Sequence, residues 1–301
     1  MTIRELTIGV TAWNSAPFLG PCLESIRATI GRRARVIVHD NDSTDGSGAV
    51  AARAGAEVVR GRCTQAAALN RLFAMSNSPY TLLMHADVVM LHSNWFNICL
   101  RRFDDDVALV CPEDIGCGPY TRFWGSGKPD CSLMLLDSRK ARAARSWFSI
   151  QRFKIKWPYR ALDLGGEHVA YNLAGPLAHA GYRIALMDVH PSPADLQPPF
   201  ALSFTPKYWR EGFERLRYGL GNFCSSDGEI THYHNWYDRS GAADAEIDLG
   251  SPVQYPHEGG FPLAWLQASS RRFLSDWEAG AVRFPDLTES PSARERALAW
   301  Q

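Results

Sequence analysis

His85-Ala86-Asp87 sits where a short apolar, strand-forming run, Tyr80–Met84, gives out, and apolar residues resume at Val88. A buried strand that delivers a nitrogen donor and an oxygen donor at its carboxyl end is how open α/β sheets present metal chemistry. Residues two apart near a strand end lean to the same side, so His85 and Asp87 can act on one ion. Upstream, Asp40-Asn41-Asp42-Ser43-Thr44-Asp45-Gly46-Ser47 is a dense cluster of polar turn formers. Its composition alone is explained by an Asx-turn running into a helix cap. Gly165-Gly166-Glu167-His168 opens a helical pattern with an acid in its first turn, where the helix dipole favours a carboxylate. His190, and the pair His232 and His234, are further histidines along the chain. Two histidines two residues apart act together only on a strand or loop, and packing of their aromatic-rich segment is the alternative.

The elements that must position these groups alternate. Leu6–Trp13 is a strand, Asn14-Ser15 caps a helix with Leu19, Leu23, Ile26 and Ile30 on one face, and Gly31 stops it. Arg35–His39 is a second strand, an Ala-rich helix ends near Gly55, and Glu57–Arg60 is a third strand. Gln65–Met75 is a helix carrying Asn70, and Tyr80–Met84 is the fourth strand. Strand and helix at this spacing predict an α/β fold with a mostly parallel, Rossmann-like sheet and helices on both faces. Ser93–Phe103 reads as a helix, Val107–Cys111 and Ser132–Leu136 as strands, and Ser138–Trp147 as a basic helix. A helix from Gly165 to about Ala180 and a last strand at Tyr182–Met187 follow. Four prolines in Pro191–Pro199 mark a boundary, giving a catalytic domain over 1–190 and a mainly helical extension over 191–301.

Composition removes several function classes. With 32 basic and 32 acidic residues the net charge is zero, and no Lys/Arg cluster makes a nucleic-acid footprint. No stretch approaches the roughly 20 apolar residues of a membrane span. The first residues read as the lead-in to a strand rather than a secretion signal. Seven scattered cysteines without a Cys-X-X-Cys pair suit reduced thiols, so a cytoplasmic protein is expected. The first strand–helix connection lacks Gly-X-Gly-X-X-Gly, and no P-loop occurs, which argues against a dinucleotide enzyme and a P-loop ATPase.

Val10-Thr-Ala-Trp-Asn14, the Val36–Ser47 segment, Asn70, His85-Ala86-Asp87 and Gly165-Gly166-Glu167-His168 with Gly181-Tyr182 together resemble the family 2 glycosyltransferases, inverting enzymes of the GT-A fold. The resemblance covers about residues 6–190. It implies a GT-A-type sheet and transfer of a sugar from a nucleotide-diphosphate sugar to a hydroxyl with inversion. By resemblance Thr11, Trp13, Asn14, Asp40, Asp42, Asn70, His85 and Ala86 line the donor pocket, with Asp40 accepting from the base. It also puts the metal on Asp87, in company with His85; in related folds a histidine after the last core strand can complete the coordination, for which His190 is the first candidate and His232 and His234 the second. His85 stands where the family has the first aspartate of Asp-X-Asp. A neutral imidazole suits Mn2+, whereas Mg2+ prefers oxygen donors, so the expectation is either a preference for Mn2+ or a His85 that contacts the donor without binding metal. His168 stands where the family has its basic aspartate, which makes Glu167 or His168 the acceptor base.

A glycan, a lipid-linked oligosaccharide or a protein fits as acceptor in polysaccharide or glycoconjugate synthesis. The C-terminal extension is a candidate for docking on the inner face of a membrane or on a second copy of the chain. The alternative is a GT-A-fold protein that binds nucleotide sugar or glycan without turnover. Aromatics at Tyr120–Trp124 and Trp157–Tyr159 are candidates for stacking on sugars, and Arg62 and Arg122 for diphosphate contacts.

Overall fold

β1 (Leu6–Ala12) is a run of apolar and β-branched residues, buried except at Thr11, and such a strand needs neighbours on both edges. In the computed structural model, which describes residues 5–113, 129–148, 171–193, 195, 216–235 and 263–287, it has them. β2 (Ala34–Asp40) pairs with it in parallel on one side and β4 (Tyr80–His85) on the other, while β3 (Glu57–Arg60) extends the sheet from β2. The connections are α1 (Ala16–Ile30), α2 (Ser47–Arg53) and α3 (Gln65–Met75), the strand–helix alternation expected from the sequence. Thr64 caps α3 by accepting from Ala67 N–H at 3.2 Å.

After a turn at Ala86-Asp87 come β5 (Val88–Met90), α4 (Trp95–Leu100), β6 (Val107–Pro112), β7 (Leu133–Asp137), α5 (Ser138–Ala143), α6 (Tyr171–His179) and β8 (Arg183–Pro191). β7 is antiparallel to both β4 and β6, and β8 is parallel to β6. Beyond residue 191 the sequence pattern predicts helices, and the structure differs. β9 (Asn222–Ser226) and β10 (Glu229–His234) form an antiparallel hairpin whose turn carries Asp227 at φ 52° and Gly228 at φ 77°. Both central residues at positive φ match the right-handed twist of the flanking strands. α7 (Leu263–Glu278) is the helix described in this part of the chain.

The full order is β3-β2-β1-β4-β7-β6-β8-β9-β10-β5. β8 pairs with β9, so the sheet continues across the proline-marked boundary, and residue 190 lies inside β8. One apolar core, with Leu19, Leu23, Ile26, Ala51 and Trp95, fills the α1, α2 and α4 side; a second, with Leu69, Leu72, Ala141 and Leu177, fills the α3, α5 and α6 side. A third, aromatic core holds α7 to the hairpin through Phe223, Tyr233 and Phe273. The Tyr233 and Phe273 rings stack with centroids 3.8 Å apart at 23°, a contact that adds about 1 kcal/mol to the burial of two rings.

Candidate metal and donor site

β4 ends at His85, the chain turns through Ala86 and Asp87, and β5 then pairs with β10 rather than with β4. That pairing sets His234 opposite Val88, and Asn235 N–H donates to the Asp87 carbonyl at 2.8 Å. Three side chains from two stretches of the chain therefore converge: donor atoms of His85, Asp87 and His234 lie within 4.8 Å of one another. His234 Nε2 is 3.6 Å from Asp87 Oδ1, and the His85 and His234 rings meet edge to face at 5.7 Å. Asp87 is 3% exposed and the two imidazoles are partly open. Bonds of about 2.1 Å from two nitrogens and one oxygen to a first-row divalent ion need a spread close to this. The set fits such an ion: one charged hard donor, two borderline imidazoles and an open approach. His85 Nε2 also lies 2.6 Å from the Gln65 side-chain amide at the start of α3, an outer contact that orients the ring.

His190, the preferred completing ligand in the sequence, is not brought to this cluster. It lies on β8, 4% exposed, with Nε2 2.8 Å from Ser225 Oγ. The reason is the hairpin: His190 faces Phe223, Phe223 faces Tyr233, and Tyr233 faces Val89, so two strand spacings separate His190 from β10 and three from β5. His234 takes the third position. Its signal in the sequence was the alternation His232-Tyr233-His234, which on a strand turns both histidines to one face. His232 is fully buried, bonded from Nδ1 to Thr231 Oγ1 at 2.9 Å. Burial, with the neighbouring His234 adding to it, pushes its pKa down to about 3.

The loops that follow β1 and β2 are braced against one another. Asn14, at φ 44°, donates its N–H to Ser43 Oγ at 3.0 Å, and Thr44 N–H donates to Asn14 Oδ1 at 3.0 Å. Asp45 accepts from Ala16 N–H at 2.8 Å and from Ser47 Oγ at 2.6 Å, so one carboxylate ties the α1 start to the α2 start. Burial pushes the Asp45 carboxyl up, but these bonds outweigh it and hold the pKa below its ordinary value. Thr11 is level with His39 on β2 and His85 on β4, its carbonyl accepts from Ala86 N–H at 3.2 Å, and Trp13 is half-buried beside it.

Asp40 is 2% exposed; its Oδ1 accepts from Ser43 N–H at 3.0 Å, closing an Asx-turn. A Cβ on Gly48 would lie 2.7 Å from Asp40 Oδ2, so a glycine is needed there. Asp40, Ser43, Thr44, Gly48 and Arg60 line an open hollow of about 670 Å³, which neither His85 nor Asp87 reaches. Asp42, at φ 60°, is exposed and bonds Arg60 Nε at 3.1 Å. Asn70 clamps the Phe148 backbone, with Nδ2 donating to its carbonyl at 2.8 Å and Oδ1 accepting its N–H at 2.9 Å. Arg62 is exposed. Glu167, His168, Arg122, Tyr120–Trp124 and Trp157–Tyr159 lie outside the described residues. Among those described, no helix is long and apolar enough to cross a membrane.

The profile described as Glycosyl transferase family 2 matches residues 7–165, just over half the chain. No curated protein matches the sequence. Among solved structures, the chain is similar to the mannosyltransferase PcManGT from Pyrobaculum calidifontis in complex with GDP-Man and Mn2+, at 16% identity and a TM-score of 0.47, covering 95% of this chain and 78% of that one. It is also similar to glucosyl-3-phosphoglycerate synthase from Mycobacterium tuberculosis in complex with phosphoglyceric acid, at 17% identity and a TM-score of 0.48, covering 62% and 70%. A third is TarS 1-349 from S. aureus, at 11% identity and a TM-score of 0.42, covering 60% and 57%.

Proposed function

Because the chain belongs to glycosyl transferase family 2, we propose that it transfers a sugar from a nucleotide-diphosphate sugar to a hydroxyl acceptor with inversion. The observation that carries this reading is the convergence of His85, Asp87 and His234 at the carboxyl end of β4. A divalent ion held there supplies neutralisation of the leaving diphosphate. Two imidazoles beside one carboxylate favour Mn2+ over Mg2+, which prefers oxygen.

The chain's own groups do the rest. Asn235, just after β10, holds the Asp87 backbone through its N–H, and Gln65 orients His85. The braced loops at Asn14 and Ser43 fix the wall beside Asp40, where the nucleotide base docks. The acceptor oxygen attacks the anomeric carbon as the bond from that carbon to the diphosphate oxygen breaks, and its proton passes to Glu167 or His168. A glycan, lipid-linked or protein hydroxyl serves as acceptor.

Calorimetric titration with UDP, GDP, dTDP and CDP, each with Mn2+, Mg2+ or chelator, tests this. The expected result is tight binding of one nucleotide that needs Mn2+ and disappears in Asp87→Ala. Binding that ignores metal would remove the ion from the mechanism, and no binding of any nucleotide would overturn the donor reading.

A further inference from the structure

Among the described cysteines, Cys22, Cys99, Cys111, Cys131 and Cys224 are buried, whereas Cys63 is half-buried, in the loop that joins β3 to α3. Two bonds hold that loop to the end of β2. Gly61 N–H donates to the Asp40 carbonyl at 3.1 Å, and Cys63 N–H donates to Asn41 Oδ1 at 2.7 Å. Two residues on, Gln65 opens α3 and meets His85. The loop therefore touches both the wall beside Asp40 and one of the three converging side chains.

The Cys63 thiol also faces a base. His39 of β2 is fully buried, with Nε2 3.6 Å from Cys63 Sγ, and its Nδ1 meets no side-chain partner. Burial, then the Arg71 charge, lowers the imidazole pKa, so the ring is neutral at pH 7 and with its proton on Nδ1 accepts from the thiol. Burial raises the thiol pKa against the opposing Arg71 charge, so free thiolate is scarce. Reactivity then depends on a proton acceptor in contact with the sulfur, which is what His39 is.

We propose that Cys63 is a modification site for low-molecular-weight disulfides, with His39 as proton acceptor, and that the attached group lowers affinity for the donor. Cys63 Sγ attacks one sulfur of the disulfide, the S–H proton passes to His39 Nε2, and the S–S bond breaks. The departing thiolate takes that proton from the imidazole, so one mixed disulfide and one thiol result. The attached group displaces the loop from Asn41 and draws Gln65 away from His85. Attachment stands on the Cys63–His39 pair alone; its effect on donor binding rests on the donor reading above.

Glutathione disulfide is the probe, added to the reduced full chain and followed by peptide mass mapping. Cys63 is expected to carry the glutathione mass before any other cysteine; first labelling elsewhere, or none at Cys63, overturns the site. His39→Gln slows the reaction about a hundredfold, and an unchanged rate in the folded variant removes His39 from it. If that variant does not fold, the wild-type pH profile decides. Attack by free thiolate speeds up about tenfold per pH unit below the thiol pKa, whereas attack assisted by neutral His39 is flat from pH 7 to 8. Calorimetry with UDP, GDP, dTDP and CDP in Mn2+ reads the consequence. Labelled wild type is expected to bind about tenfold more weakly than unlabelled protein, dithiothreitol restores it, and Cys63→Ser treated alike does not change. Equal affinity before and after labelling overturns the effect on the donor. If unlabelled protein binds no nucleotide, the donor reading has failed, and the mapping still decides the modification site.

Discussion

Gly221, just before β9, connects packing to the candidate metal site, and Gly221→Ala probes the connection. An added Cβ would meet Tyr233 Oη at 1.7 Å and Cζ at 2.3 Å, with the His234 carbonyl at 3.0 Å. Tyr233 has no room to yield: it is fully buried, stacks on Phe273, and donates from Oη to the Tyr218 carbonyl at 3.1 Å. Overpacking of this kind costs about 1–3 kcal/mol. The displaced tyrosine hydroxyl loses a bond worth about 1 kcal/mol, so a loss of about 3 kcal/mol is expected. In a chain of this size that lowers the melting temperature by about 6 °C.

Gly20→Ala is the control, because its Cβ meets only Val50 Cγ1, at 3.9 Å, inside α1; there alanine is neutral or stabilising by up to about 1 kcal/mol. Urea unfolding of the two variants measures the difference. Tyr233 sits between His232 and His234 on β10, so Gly221→Ala also weakens Mn2+ binding in a calorimetric titration while Gly20→Ala does not. Equal stability of the two variants would refute the close packing of β9 on Tyr233 and the coupling built on it.

His234→Ala abolishes or strongly weakens Mn2+ binding, whereas His190→Ala leaves it unchanged and lowers stability by about 1–2 kcal/mol through loss of its bond to Ser225; titration and urea unfolding read the two effects separately. Asn70→Ala releases both halves of the Phe148 clamp, for a loss of about 1–3 kcal/mol in unfolding free energy, with nucleotide affinity retained. His39 is buried; burial and then the Arg71 charge lower its pKa, partly offset by its backbone bond and Asp40. The folded state thus keeps it neutral while the unfolded chain takes up a proton near pH 6.5, so its share of stability is present above that pH and is lost as pH falls towards the lowered folded value. Unfolding at pH 7.5 and 5.5 should show a shallower acid loss in His39→Gln than in wild type.

The first ninety residues were legible because each local signal agrees with the sheet: Asn14-Ser15 opens α1, the Asp40–Ser47 cluster turns β2 into α2, and the apolar run of β4 stops at His85. The Asx-turn expected from composition is there, closed by Asp40 and Ser43. Harder to read was anything set by distant pairing. Asn70 occupies its expected helix, yet nothing in its neighbours foretells a clamp on Phe148, 78 residues away. The hairpin did leave a local trace, Asp227-Gly228 between alternating residues, but the aromatic-rich chain around it reads equally well as helix. Missing that hairpin is what put His190 ahead of His234 as the third candidate, whereas the structure brings His234 beside His85 and Asp87.

The pairing of β5 with β10 has a kinetic consequence. β5 follows the Asp87 turn directly, yet its partner strand lies about 140 residues further along the chain. Contacts so distant in sequence form slowly, since a long loop must close before the pairing rewards it. During synthesis the parallel strands β1 to β4 and their helices can assemble while β5 waits for β10 to emerge. Asp87 therefore comes to rest late, and His85, Asp87 and His234 converge only after the loops at Asn14 and Ser43 have been built, so a nascent chain halted before residue 234 would carry those braced loops without the candidate metal cluster.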